Sequence, residues 1–220
     1  MTRRSRLLTT TAAGVMAALL LAGCGGGGGV GSDSKSHDKG ADAVASASVS
    51  SSASASSSSG RPQVTLPSDV TDRYVGWKTG DAAKDAVLTD TAARIDATND
   101  AILRGDTGAP GLSFYYRDKA LSGAVAWIRE YLDANLSFTG TTRYYAPKVT
   151  LPSGGTTATV LYCSDESKGF NRNRKTGKVD RTPSDQSPYV LYNTRLVKSG
   201  SGVWQTAALT SHRSDKACTG

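Results

Sequence analysis

The chain of 220 residues is poor in the side chains that most often build metal or redox centres, with three cysteines and two histidines. It has no Cys-x-x-Cys pair, and His37 and His212 stand far apart, so no zinc-type ligand spacing and no redox dithiol can be assembled from sequence neighbours. Aromatic residues make up only 7% of the chain, and none lies before Arg61. No apolar run reaches the ~20 residues that a bilayer-spanning helix needs. No internal repeat is present, and no motif carries a catalytic acid/base pair. The chain is therefore read as needing no metal and no cofactor.

What is present begins at the N-terminus. Arg3, Arg4 and Arg6 form a positive start, followed by the apolar core Ala12–Ala22, of the length usual for a secretory signal. Thr9, Thr10 and Thr11 block its extension into a span. The seam Leu21-Ala22-Gly23-Cys24 resembles the lipobox of bacterial lipoproteins. In that family the cysteine thiol takes a diacylglyceryl group and becomes the first residue after cleavage, and small residues before it admit the peptidase. Each buried CH₂ contributes ~0.8 kcal/mol, so two acyl chains hold a protein on a membrane that one chain would leave. The plainer alternative makes Cys24 the last residue of an ordinary secretory signal. Thr2–Leu7 also partly resembles a twin-arginine signal, with Arg6 where that motif takes an apolar residue, so the export route stays open. Residues 1–23 are read as the signal peptide.

Residues 24–66 are a different material, with five consecutive glycines after Cys24 and the Ser/Ala run Ser46–Ser59. Such a segment cannot bury enough apolar surface to offset its ordering entropy, and it is read as a flexible tether. A coil of about 36 residues spans roughly 33 Å. Removing Arg3, Arg4 and Arg6 lowers the formal charge from +7 by three, to +4. That balance gives no support to a nucleic-acid partner. Residues 67–220 are read as one folded domain, although its ordered part can begin as early as Arg61. With Cys24 lipidated, Cys163 and Cys218 remain, and an even pair in an exported domain predicts a disulfide.

Within the domain, Val87, Thr91, Ile95, Thr98 and Ile102 recur at helical steps across Asp81–Leu103, and Gly105 is placed to stop the helix. Leu121, Val125, Ile128 and Leu132 mark a second helix, with Trp127 and Tyr131 beside the stripe and Asp118 as its expected N-cap. After Asn135 the period changes to two. Ser137–Leu151, Thr156–Cys163, Tyr189–Lys198 and Val203–Arg213 read as strands, the last two joined by the turn Ser199–Gly202. Helices first and strands afterwards predict an α+β fold, with the helices on one face of a curved antiparallel sheet.

That order, with particular residues, resembles the NTF2-like superfamily, also called SnoaL-like or cystatin-like α+β cones, and within it the small lipoproteins of high-GC Gram-positive bacteria. The residues concerned are Tyr74 and Trp77, Tyr115, Val160–Asp165, Thr176–Lys178 and Gly202–Trp204, across most of Asp69–Cys218. The resemblance implies a pocket between helices and sheet. Enzymes of the superfamily, such as ketosteroid isomerases and polyketide cyclases, use an Asp with a His or Tyr there. In this chain His212 and Asp165 are the corresponding types, and neither has an evident partner. Tyr74, Trp77, Tyr115, Tyr116, Trp127, Tyr131, Tyr144, Tyr145, Tyr162 and Trp204 are expected mostly in the core, some of them lining the pocket.

Glu166–Pro188 lacks periodicity and reads as a long connection bearing Lys168, Arg172, Arg174, Lys175, Lys178 and Arg181 against Glu166, Asp180 and Asp185. It is either a solvated hairpin tip or a contact for anionic headgroups, wall polymer or an acidic partner. The leading expectation is a lipid-anchored protein on the extracytoplasmic face of the cell membrane that binds a small apolar ligand or an envelope partner without catalysis. A SnoaL-type enzyme and an envelope scaffold docking through the basic 166–188 loop are the alternatives. The oligomeric state is left open. Cys24→Ala should shift the protein from the membrane fraction to the medium or stall its processing; a fully processed variant that stays on the membrane would contradict lipidation.

Overall fold

The computed structural model describes residues 60–181 and 186–219. The expected signal peptide, Cys24 and most of the expected tether lie outside the described residues, as does Asp185. Strand β1 (Val70–Tyr74) leads into helices α1 (Ala82–Arg104), α2 (Pro110–Tyr115) and α3 (Asp118–Asp133). Strands β2 (Leu136–Thr150), β3 (Thr157–Asn173), β4 (Val179–Asp180), β5 (Tyr189–Lys198) and β6 (Trp204–Arg213) follow, with a closing 3-10 turn at Lys216–Cys218.

The caps of α1 are the ones its sequence specifies. The Asp81 side chain accepts from the Ala83 and Lys84 amides at 2.9 and 3.2 Å, and Gly105 closes the helix at φ 73°, a conformation in which only glycine is unstrained. The start of α3 differs from expectation. Asp118 is its first helical residue and not its cap; the cap position is Arg117, which makes no side-chain cap bond. The Asp118 carboxylate instead binds Arg117 Nε at 2.9 Å, where it still favours the positive end of the helix.

The sheet runs β1-β2-β3-β5-β6, with β4 paired to β3 beyond that path. All pairs are antiparallel except β1–β2, which is parallel. The fold is α+β, with helices packed on one face of a curved sheet that does not close. Two devices bend it. The β2–β3 ladder shifts register between Tyr145 and Lys148, which carries β2 past Pro147. Further along, Gly140 faces Gly169 at φ 99°, and a Cβ there would collide with the Lys168 carbonyl.

The stretch expected to be a structureless connection is corrected by the same ladder. β3 continues through Glu166 to Asn173 because Leu136–Thr141 lie alongside to pair with it. Those residues alternate too little in hydrophobicity to reveal a strand, and backbone pairing rather than apolar burial holds them.

The main core lies between α1 and the sheet: Val87, Leu88 and Ile95 pack with Val160, Tyr162, Leu196 and Trp204. A second cluster joins the end of α1 to α2 and α3 through Ile102, Leu112, Tyr116 and Ile128. On the other face of the sheet Cys163 and Cys218 form a disulfide, with Cα atoms 5.5 Å apart and a sequence separation of 55. Closing that loop stabilises the fold by ~4 kcal/mol in the chain-entropy model. The Tyr145 hydroxyl donates to the Cys218 carbonyl at 3.1 Å and holds the same turn down.

Asp90 joins three parts of the chain. Only 1% exposed, it takes a hydrogen bond from the Trp204 amide at 2.8 Å and an ion pair from Arg61. Asp90→Ala should cost ~3–5 kcal/mol in denaturant unfolding, since it leaves a buried amide and a guanidinium without their acceptor. A loss under about 1 kcal/mol would mean that this junction is not a support of the fold.

Candidate functional site

The helix-facing side of the sheet does not fill. A cavity of about 720 Å³ lies between α1, α3 and strands β2, β3, β5 and β6. It exists because α3 carries two stripes. Leu121, Val125, Ile128 and Leu132 belong to the second core cluster and do not line the cavity, whereas Ala120, Ala124, Trp127 and Tyr131 line it, with Ala120, Ala124 and Tyr131 also touching that cluster. Only Ile128 of this helix is fully buried, and Trp127 stands 43% exposed at the opening. Its ring meets Tyr131 edge-on at 5.1 Å. Across from them, Phe138 and Phe170 supply the apolar wall of the sheet.

The floor is polar. Arg94 sits on the buried face of α1 at 4% exposure, among the residues lining the cavity. Its guanidinium donates to the Tyr162 hydroxyl at 2.8 Å and to the Tyr116 hydroxyl at 3.4 Å, and its Nε has no partner. Burial works against this charge, while the two tyrosine oxygens favour it, and the balance lies above the ordinary arginine value. Tyr192 stacks on Tyr162 at 4.9 Å. Burial pushes the Tyr144, Tyr162 and Tyr192 hydroxyls upward, so all three stay neutral donors near pH 7. At the rim, Glu166 pairs with Arg213 at 2.7 Å and also accepts from Ser164 at 3.1 Å.

A carboxyl pair stands behind the floor. Asn99, which lines the cavity, donates to Asp72 Oδ2 at 2.7 Å, and Tyr74 donates to Asp96 Oδ1 at 2.6 Å. Burial raises Asp72 to about 7, with the Asn99 bond opposing the rise and the Asp96 charge adding to it. Asp96 is also raised, first by burial, while the bond from Tyr74, the neighbouring Asp72 and the charge of Arg94 hold it back. Neither carboxyl lines the cavity.

The sequence-selected residues divide accordingly. Tyr116, Trp127, Tyr131, Tyr144 and Tyr162 line the cavity; Tyr74, Trp77, Tyr115 and Trp204 belong to the packed interior, and Tyr145 lies on the far face of the sheet. His212 pairs with Leu191 on that far face, exposed and away from the cavity. Asp165 is also turned away, bound to Arg143 at 3.3 Å.

The basic residues of 166–181 serve the fold in several cases. Arg172 pairs with Asp69, Lys178 with Asp180 at 3.0 Å, and Arg181 lies over the Phe170 ring at 5.3 Å. Arg174 reaches the Ile102, Leu103 and Leu136 carbonyls and so completes the C-terminal end of α1. Lys168 lies within β3, and the Lys175 amide bonds the Asn173 side chain in the hairpin turn. Among the described residues no group of three or more metal-ligating side chains comes together.

Arg94, Asn99 and Tyr192 escaped the sequence reading, and Glu166 was named only as an acid of the basic connection, not as a cavity residue. For two of them a signal existed: Arg94 falls three residues after Thr91 and four before Thr98, and Asn99 four after Ile95, on the face already marked as buried.

No protein-family model matches the chain, and no curated protein matches it. Among solved structures, the intermembrane space region of chloroplast protein ARC6 aligns over 62% of this chain and 100% of its own, at 14% identity and a TM-score of 0.44. A ketosteroid isomerase-like protein from Erwinia carotovora atroseptica aligns over 59% of this chain and 95% of its own, at 21% identity and a TM-score of 0.40. For the Kfla4162 protein from Kribbella flavida the values are 58% and 92%, 16% identity and a TM-score of 0.36. These likenesses are partial, and the chemistry of the cavity rests on its own residues.

Asp72 gives the site a pH signature. Its folded value of about 7 lies above the ~3.9 of an unfolded chain. Between the two, the folded chain keeps a proton that the unfolded chain has released. The group's contribution to stability is therefore full below about pH 4, falls as pH rises toward 7, and stays lost above it. Asp72→Asn, neutral throughout and still able to accept from Asn99, should remove that slope. Thermal melts of wild type and variant that run parallel from about pH 4 to 7 would refute the assignment.

Proposed function

We propose that this chain is an exported lipoprotein, anchored through Cys24, whose domain acts as a non-enzymatic binding module for a small, partly apolar molecule at the cell envelope. The observation that carries this reading is the open cavity of about 720 Å³, within the size range of small-molecule sites, with aromatic walls and a few convergent polar groups. The described residues offer that cavity no free carboxylate poised as a base. Glu166 is tied to Arg213, and the raised carboxyls of Asp72 and Asp96 stand behind Asn99. The anchor and the envelope location rest on the lipobox residues alone.

One observation favours a second reading, an enzyme of the SnoaL type. Asp72 at about 7 has the pKa of a general base. It would serve only if Asn99 moved aside to admit a substrate. The scaffold reading draws less support, because Arg172, Arg174, Lys178 and Arg181 already have partners within the domain.

Gly123 offers a direct test. It lines the cavity, and a Cβ built on it meets nothing within 4 Å. Gly123→Phe should fill the space from α3 and, by replacing a mid-helix glycine, leave stability equal or higher. The measurement is fluorescence of N-phenyl-1-naphthylamine with the full chain carrying Cys24→Ala, which needs no detergent. Wild-type cavity should bind the dye, and Gly123→Phe should weaken it about tenfold or more, about 1.4 kcal/mol. Unchanged dye binding in a folded variant would remove the cavity as a binding site.

A further inference from the structure

Arg94 is the feature that the reading above leaves unexplained. A buried guanidinium is ordinarily matched by a carboxylate, because an uncompensated charge away from water is strongly destabilising. Here its side-chain partners are the neutral hydroxyls of Tyr116 and Tyr162. Asp96 senses its charge, but Asp96 is bound by Tyr74, and no ion pair joins it to Arg94. The Nε–H is orphaned.

The hydroxyls around it fix where free protons remain. Thr98 donates its one hydrogen to the Arg94 carbonyl at 2.8 Å, so in the 3.0 Å contact between Thr98 and Tyr116 the tyrosine is the donor. Tyr116 is then satisfied: it donates to Thr98 and accepts from Arg94. Tyr162 also accepts from Arg94, but its own proton has no acceptor among the described residues. The cavity floor therefore holds two donors without an acceptor among the described residues, the Nε–H of the charged Arg94 and the neutral Tyr162 O–H, on side chains that are hydrogen-bonded to each other. Around the cavity the described charged side chains are Arg94, Lys119 and Arg213 against Glu166 alone, an excess of positive charge.

We infer that the cavity is a receptor for a small organic acid, its carboxylate held by Arg94 and the Tyr162 hydroxyl and its apolar body lying against Trp127, Tyr131 and Phe138. A planar carboxylate suits this place because guanidinium binds it through parallel N–H bonds, and those charge-assisted bonds are the strong ones. The inference rests on the proposed binding function and names the ligand class of that site.

The test separates the two. The full chain with Cys24→Ala is loaded with N-phenyl-1-naphthylamine, and the dye is displaced by 2-naphthoate or by 2-naphthamide, which share a ring system and differ in charge. In wild type the acid should displace the dye at a concentration about tenfold lower than the amide, the advantage expected of a charge-assisted bond. Arg94→Met should bring the two ligands level while the dye still binds. Arg94→Lys, which keeps the charge but loses the fork, and Tyr162→Phe should each narrow the gap, and they decide the matter if Arg94→Met does not fold.

If the dye does not bind wild type, the binding-module reading itself falls. If the dye binds but acid and amide compete equally, the cavity stands and the anion receptor is refuted. An acid preference that survives Arg94→Met, or both milder variants, places the anion elsewhere and equally overturns the inference.

Discussion

The fold depends on α1 carrying polar side chains into the interior. Asp90, Thr91, Arg94, Thr98 and Asn99 are all buried on one helix, beside Val87, Ile95 and Ile102. Each needs a partner, from the helix itself or from another element, since an unpaired buried polar group costs ~1–3 kcal/mol. Thr91 and Thr98 turn back onto the carbonyls of Val87 and Arg94. Asp90 collects the Arg61 guanidinium and the first amide of β6, and Asn99 reaches Asp72 on β1. The bonds of Asp90 and Asn99 set the position of the helix over the sheet more sharply than apolar contact, which is indifferent to small slides.

The cavity follows from that placement together with the shape of the sheet. β2 and β3 are long, bulged and bent at the facing glycines, so the sheet is curved. α3 does not close the space against it. Its inward positions are Ala120, Gly123 and Ala124, too small to fill the gap, and then Trp127 and Tyr131, which line the walls instead. The polar floor and the aromatic walls therefore come from different demands on the chain: one from satisfying α1, the other from an unfilled space under α3.

The elements with strong periodicity were legible before any coordinates. β5 spans the residues the alternation marks, α1 ends at the glycine placed to end it, and the cysteine pair closes. The curved α+β architecture was legible from the order of those elements. The half of β3 beyond Cys163 was not, because its strand character comes from a neighbour rather than from its own alternation. Nor was the short parallel strand β1, whose register is set by Asp69 bonding to Gly140 and Thr139 across the fold. The aromatic part of the site was half visible, as a list of rings without a way to sort wall from core. Arg94 was hidden for a different reason: charged residues on helices are usually solvated, and only its position on the buried stripe distinguished it.

The β5–β6 hairpin is polarised along its length. Its turn, at Ser199 and Ser201, lies beside Gly60 and Pro62, where the described chain begins. Its other end, where Val190 pairs with Arg213, belongs to the cavity rim. Strands of this length place the two ends ~30 Å apart. The hairpin thus joins the Gly60 end of the domain to the cavity, and immobilisation on a sensor surface by way of Gly60 would hold the domain at the end of the hairpin remote from the cavity.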